Sequence, residues 1–339
     1  MISSAAWRVF WRAVISASSP SEKYPQTPSE HIRKASPETR RSAPRLGLDE
    51  DAFAELARRV EVIFHNGGQV NFLAPYEHLE AANVGGTVEV LRLATRHRVK
   101  PVHLVSTLGV YLTEQHLERT VRESDPPPDA EGQSGGYNQS KWVGEQLALA
   151  ARERGLPVAI YRPARITGDS RRGISNLGDY FNAWIKGCVQ LGYAPHLPDE
   201  SFDMAPVDYV GRAIVRLALG AGEANGQYHF FNARRLPIVD AVATLRDAGL
   251  AVEEIDYPSW RRALLAEAAV SRENALAPFA GLFPEHPDPR EPRFDCSATT
   301  DAVAALGLVC PPADRMLFAT YLDFLRSRGA LPLAVEEEA

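Results

Sequence analysis

A chain of 339 residues, 45% apolar and 24% charged, has the composition of a globular protein and the length for one large α/β domain with a smaller lobe, or two modest domains. Its net charge of -6 leaves no basic face for nucleic acid, and no apolar run reaches the roughly 18 residues of a membrane helix. Cys188, Cys296 and Cys310 are too dispersed for a zinc site or a disulfide framework, so a reducing, cytoplasmic setting is expected.

Residues 1–45 form an atypical N-terminal segment. Arg8 and Arg12 interrupt its short apolar stretch, which leaves no signal-peptide core. Pro20, Pro25, Pro28, Pro37 and Pro44 break any long helix, and disorder is expected over 17–45. From residue 46 the pattern is regular. Asp49 can cap a helix over 49–59 with Phe53, Leu56 and Ala57 on one face. An apolar strand over 60–65 stops at Asn66-Gly67-Gly68, and a helix follows over about 75–97. Next come a strand at 101–107, a Pro-rich loop, a helix at about 136–154 and a strand at 157–163. A fourth strand is expected at 226–232. Strands alternating with helices of this length imply βαβ units, right-handed crossovers and a parallel sheet. After about Leu236 the pattern becomes mostly helical, closing on a helix at 316–325 and an acidic tail at Glu336 to Glu338. The segments therefore read as 1–45, a core over 46–235 and a smaller lobe over 236–339.

Gly136-Tyr137-Asn138-Gln139-Ser140-Lys141 opens the longest predicted helix. Four-residue spacing puts Tyr137 and Lys141 on one face, a turn apart. An ammonium beside a phenol stabilises the phenolate, lowering the tyrosine pKa and suiting it to protonate a carbonyl oxygen as hydride reaches the carbon. With 11 tyrosines in the chain, a chance Tyr-x-x-x-Lys arises about one time in six, so context must carry the motif. The preceding strand ends in Ser106-Thr107, where a hydroxyl faces the ligand crevice of an open parallel sheet, and either residue could bond the same oxygen. The next strand runs out at Arg162-Pro163-Ala164-Arg165-Ile166, at the same edge.

From Pro44 to Leu333 the chain resembles the extended short-chain dehydrogenase/reductases, and within them the thioester reductase domains that end peptide and polyketide assembly lines and occur in carboxylic acid reductases. The resemblance rests on 65–72 (His-Asn-Gly-Gly-Gln-Val-Asn-Phe), 83–87 (Asn-Val-Gly-Gly-Thr), 106–110, 136–145, 161–168 and 206–210 (Pro-Val-Asp-Tyr-Val). It implies a Rossmann-like, doubly wound parallel sheet with a smaller, mostly helical C-terminal substrate lobe. The implied activity is NADPH-dependent release of a carrier-bound acyl or peptidyl thioester as an aldehyde or, with a second reduction, an alcohol. The implied catalytic trio is Thr107, Tyr137 and Lys141, with Lys141 also holding the nicotinamide ribose. His65, Asn66, Gly67 and Gly68 would line the adenosine side of the groove and Asn83 would lie under the nicotinamide half. Pro163, Ala164 and Ile166 would flank the nicotinamide, and Ser106 would also bind the cofactor. The implied partner is a phosphopantetheine-linked acyl or peptidyl carrier domain.

One family feature is missing. Gly47 is the only glycine among the first 60 residues, so the Gly-x-x-Gly-x-x-Gly turn, whose N–H groups hold the cofactor diphosphate, is absent. The Gly220-Ala221-Gly222 run follows a helix and reads as a helix stop. The core is thus expected to be truncated, with strand 60–65 as an exposed edge covered by residues 1–45 or open to self-association. Two alternatives to the thioester reductase follow: an impaired remnant that binds a carrier or a sister reductase, and an extended reductase or epimerase acting on another small molecule.

Overall fold

A computed structural model describes residues 43–220, 224–287 and 290–332. The expected disorder up to residue 42, the Ala221-Gly222 part of the helix stop and the acidic tail lie outside these residues.

Helix α1 (Glu50–Arg59) starts where Asp49 accepts the Ala52 N–H, an N-cap worth about 0.5–2 kcal/mol. Strand β1 (Ile63–His65) is shorter than the apolar run that predicts it. Helix α2 runs through Tyr76–Glu80, a π-helical turn at Ala81–Gly85, and Gly86–Thr95. Strand β2 (Val102–Val105), helix α3 (Gly136–Glu153) and strand β3 (Val158–Pro163) follow in the expected order. Helices α4 (Tyr180–Leu191) and α5 (Val207–Leu219) precede strand β4 (Gln227–Phe230). The C-terminal part contributes α6 (Ile238–Asp247), α7 (Tyr257–Val270), α8 (Ser297–Ala305) and α9 (Arg315–Ser327).

The main sheet has the order β1-β2-β3-β4, with every pairing parallel. Because the strands are all parallel, their carboxyl ends lie along one edge. Strands β2 and β3 are buried throughout, as sheets covered on both faces require. On one face Val102, Leu104, Val158 and Ile160 pack under Phe53 of α1, Val90 and Leu93 of α2 and Ala148 of α3. On the other, Val105, Ala159 and Tyr161 pack against Tyr209, Val210 and Ile214 of α5 and Val303 of α8. Full burial of a Val, Leu or Ile contributes about 1.5–3 kcal/mol, so the alternating faces fix the register strongly. This is the α/β, doubly wound arrangement.

A separate core joins Trp184 and Ile185 of α4, Leu245 of α6, Trp260 of α7 and Phe318 and Tyr321 of α9. A parallel strand pair, Tyr193–His196 with Glu253–Asp256, lies beside it. Tyr321 ties this lobe to the segment after β3, its hydroxyl 2.8 Å from Thr167 Oγ1 and donating to Gly168 O at 3.1 Å. Strand β1 lies at the open end of the sheet, with no strand on its far side among the described residues.

Candidate functional site

Three connections leave the carboxyl edge of the sheet side by side, after β1, β2 and β3. After β1 the chain turns at Asn66-Gly67-Gly68 and enters a loop held by Asn71, whose Oδ1 accepts the N–H groups of Leu73 and Ala74 at 2.9 and 3.0 Å. Asn83, in the π-helical turn of α2, pins that loop to α3. Its Oδ1 accepts the Gln69 N–H at 2.6 Å, while Nδ2 donates to Gln69 O at 3.1 Å and to Ser140 Oγ at 2.9 Å. Both amide protons and one lone-pair direction are therefore committed inside the protein. A π-turn advances the helix by an extra residue, and here it aims Asn83 at the loop.

His65 is also committed. Thr87 Oγ1 donates its only proton to Asn83 O at 2.6 Å, so the 2.9 Å bond to His65 Nε2 requires the imidazole to be the donor. Gly68 lies close to the site: a β-carbon there would come 3.7 Å from Lys141 Nζ and 3.5 Å from Asn83 Oδ1.

After β2, Ser106 and Thr107 face different ways. Ser106 is buried, with its N–H on Tyr161 O at 2.7 Å and its hydroxyl on the Glu145 carboxylate. Thr107 starts the short 3₁₀ turn Leu108–Tyr111, its Oγ1 accepting the Gly109 N–H at 3.0 Å. The Thr107 hydroxyl proton stays available to a ligand.

Tyr137 and Lys141 occupy successive turns of α3. The Tyr137 ring meets Phe72 of the loop edge-on, with centroids 5.2 Å apart and planes at 76°. Lys141 Nζ donates to Val105 O at 2.8 Å, which fixes the ammonium at the carboxyl end of β2. Burial pushes the phenol pKa up to about 12 and the ammonium pKa down to about 8, with Glu145 opposing the second shift. Helical spacing alone has the ammonium lowering the phenol pKa. In the folded chain desolvation by burial governs Tyr137 instead. The phenol is protonated at neutral pH.

Helix α3 approaches the loop this closely because residue 136 is glycine. A β-carbon there would fall 2.4 Å from Pro75 C and Tyr76 N and 2.5 Å from Ala74 O, all backbone atoms. Gly136→Ala is therefore expected to destabilise the fold by about 1–3 kcal/mol, an overpacking cost, read as a lower urea midpoint. An unchanged midpoint would show that α3 does not need this approach.

Pro163 is buried at the end of β3, Ala164 donates its N–H to Phe230 O at 2.9 Å, and Ile166 is 39% exposed. Sequence reasoning missed the layer beneath. Arg162 and Glu145 are both fully buried, with Arg162 Nη2 and Nε on Glu145 Oε1 at 2.7 and 3.0 Å. Arg162 also donates to Gln227 Oε1 at 2.6 Å and lies 3.1 Å from His229 Nε2, and its guanidinium sits 5.2 Å from the Tyr111 ring centroid. Two signals were available: a charge inside an apolar strand, and a glutamate eight residues after Tyr137. Elsewhere Asp208 accepts the Ser170 N–H and hydroxyl and pairs with Arg212, Arg172 pairs with Asp169, and His196 lies 2.7 Å from Glu254. No cluster of metal-ligating side chains occurs among the described residues.

A family profile described as Male sterility protein matches residues 38–214. A linear gramicidin synthase of Brevibacillus parabrevis is 37% identical over 292 residues, 85% of this chain and 6% of that protein. Aldehyde reductase lnaA of Aspergillus flavus is 33% identical over 310 residues, 85% of this chain and 30% of that protein. The chain thus spans less than a third of either relative. Among solved structures, the terminal R domain of the myxalamid PKS-NRPS biosynthetic pathway is 40% identical with a TM-score of 0.79, and the match covers 87% of this chain and 75% of that one. The reductase (R) domain of a nonribosomal peptide synthetase from Mycobacterium tuberculosis is 25% identical with a TM-score of 0.71, over 86% and 75% of the two chains.

Proposed function

We propose, for a chain that belongs to the Male sterility protein family and to the terminal reductase domains of the extended short-chain dehydrogenase/reductases, that it reduces a carrier-bound acyl or peptidyl thioester with NADPH. The observation that supports this reading is that the Lys141 ammonium, one turn along α3 from Tyr137, is fixed at the carboxyl end of β2, the strand that Thr107 follows.

The residues present fit the nicotinamide and ribose half of the cofactor. Gly68 puts no side chain against Lys141, and Ala164 and Ile166 offer an apolar wall beyond β3. The diphosphate half differs, since no glycine-rich strand–turn–helix occurs among the described residues. When bound, NADPH supplies a hydride to the thioester carbonyl carbon. Tyr137, kept protonated by burial, gives its proton to the carbonyl oxygen, and the Thr107 hydroxyl bonds that oxygen. The Lys141 ammonium, one turn away, stabilises the phenolate left behind. The resulting hemithioacetal breaks into aldehyde and free carrier thiol.

A second reading, a carrier-binding module without turnover, is favoured by the missing turn alone. Each charge-assisted bond to a diphosphate contributes about 1.5–3 kcal/mol, so loss of two weakens binding by more than about 100-fold. Titration calorimetry of the 339-residue chain should accordingly find NADPH bound weakly or not at all. Micromolar or tighter affinity would mean that another segment supplies the cradle. To separate the two readings, the first three strands of a thioester reductase are joined ahead of Pro44. The extended chain should oxidise NADPH only with a carrier-bound thioester present. If it folds and binds NADPH yet reduces no thioester, aldehyde or ketone, the binding-module reading replaces this one.

A further inference from the structure

We propose that Glu145 is a positioning residue of this site: its carboxylate, held beneath α3 by Ser106 and Arg162, keeps the Lys141 ammonium charged and fixes the carboxyl end of β2. The inference rests on the assignment of Tyr137 and Lys141 above and extends it one layer inward.

Tyr137, Lys141 and Glu145 stand at successive four-residue steps, so they form one stripe of α3 facing the sheet. Glu145 is at the inner end of that stripe and has no access to solvent. Its two oxygens divide the work. One receives Arg162 of β3 through two N–H groups, and the other receives the Ser106 hydroxyl at the end of β2. The Ser106 backbone is bonded in turn to Tyr161 of β3. The carboxylate therefore links α3, β2 and β3 directly below Val105, whose carbonyl holds Lys141 Nζ. An ion pair that merely clamped a helix to a strand would need neither the serine nor a place on the Tyr-Lys stripe.

The electrostatics run in the same direction. Burial lowers the Lys141 pKa to about 8, and the Glu145 charge is what opposes a further fall. The charged and titratable groups that face Glu145 are Arg162 of β3 with His229 of β4 behind it, Tyr111 of the 3₁₀ turn, and Lys141 and Arg152 of its own helix. Asp125 and Asp295 act one layer further out, on Tyr111 and His229. Of these, Glu145 is the group that raises the Lys141 pKa against burial. Without it, burial alone acts on the ammonium and the Lys141 pKa falls further.

Direct titration of Lys141 tests the proposal. The chain has five lysines, so side-chain NMR of lysine-labelled protein resolves each ammonium, and Lys141→Arg identifies the signal. In the parent the Lys141 midpoint is expected near 8. In Glu145→Gln it should fall by about one pH unit or more, tenfold in the acid constant, and Glu145→Asp should recover part of the shift. Glu145→Gln leaves Arg162 without its counter-charge and risks the fold. The paired variant Glu145→Gln/Arg162→Met removes both buried charges, and a smaller fall is expected there because losing the nearby guanidinium offsets part of the loss of the carboxylate. A midpoint unchanged in either folded variant overturns the proposal. No cofactor or substrate enters this titration, so its outcome is independent of whether the chain reduces a thioester.

Discussion

Tyr137→Phe, made in the chain extended ahead of Pro44, is expected to lower thioester-dependent NADPH oxidation about 100- to 10,000-fold, the range in which a positioned proton donor acts. NADPH affinity should stay within about threefold of the parent, because this substitution removes only the hydroxyl. The ring stays, and with it the edge-on contact to Phe72 that orients it, 5.2 Å between centroids. Lys141 remains bonded to Val105 O, so the floor of the crevice should not move. Measuring kcat and NADPH affinity separately distinguishes a lost proton donor from a disturbed cofactor groove. If kcat falls less than about tenfold, Thr107 or solvent delivers the proton and the role given to Tyr137 is wrong.

Arg162→Met should have the largest effect on stability. It leaves the fully buried Glu145 carboxylate with only the Ser106 hydroxyl, and breaking a buried pair from one side costs about 3–5 kcal/mol. Gln227 and His229 lose a donor at the same time. The paired Glu145→Gln/Arg162→Met variant should regain much of this loss, because no unpaired charge is left behind. Urea midpoints of the three proteins decide the matter. A single variant within about 1 kcal/mol of the parent would show that water reaches the pair.

How far the sequence was legible depends on what kind of signal each feature leaves. The order of helices and strands was legible because apolar runs ending in Asn66-Gly67, Ser106-Thr107 and Pro163 are local patterns. The Tyr137–Lys141 stripe was legible because four-residue spacing has one geometric meaning in a helix. What Lys141 bonds to was not, since Val105 O lies 36 residues away in the chain, and neither was the burial that sets the direction of the Tyr137 pKa. Asn83 could be placed near the groove by resemblance, but the pairing that commits its amide to Gln69 and Ser140 needs a π-turn that no periodicity announces. The Glu145–Arg162 layer was hidden for a different reason. Each residue is ordinary alone, and only the meeting of α3 with β3 makes a site of the two. The short β1 also departs from its six-residue apolar run, because only Ile63 to His65 find ladder partners on β2.

That brevity has a kinetic side. In a parallel ladder the peptide groups of alternate residues point to opposite neighbours. Ile63 donates its N–H to Pro101 O on the β2 side, so Phe64 alone turns its N–H and C=O outward from the sheet. In deuterium oxide the Phe64 amide should trade its proton on the timescale of a loop, while Ile63 and His65 on either side are slowed by their bonds to β2. A strand added there, from a second copy of the chain or from a segment joined ahead of it, would bond that amide. The exchange rate at residue 64 is therefore a single-site gauge of whether the sheet has been completed.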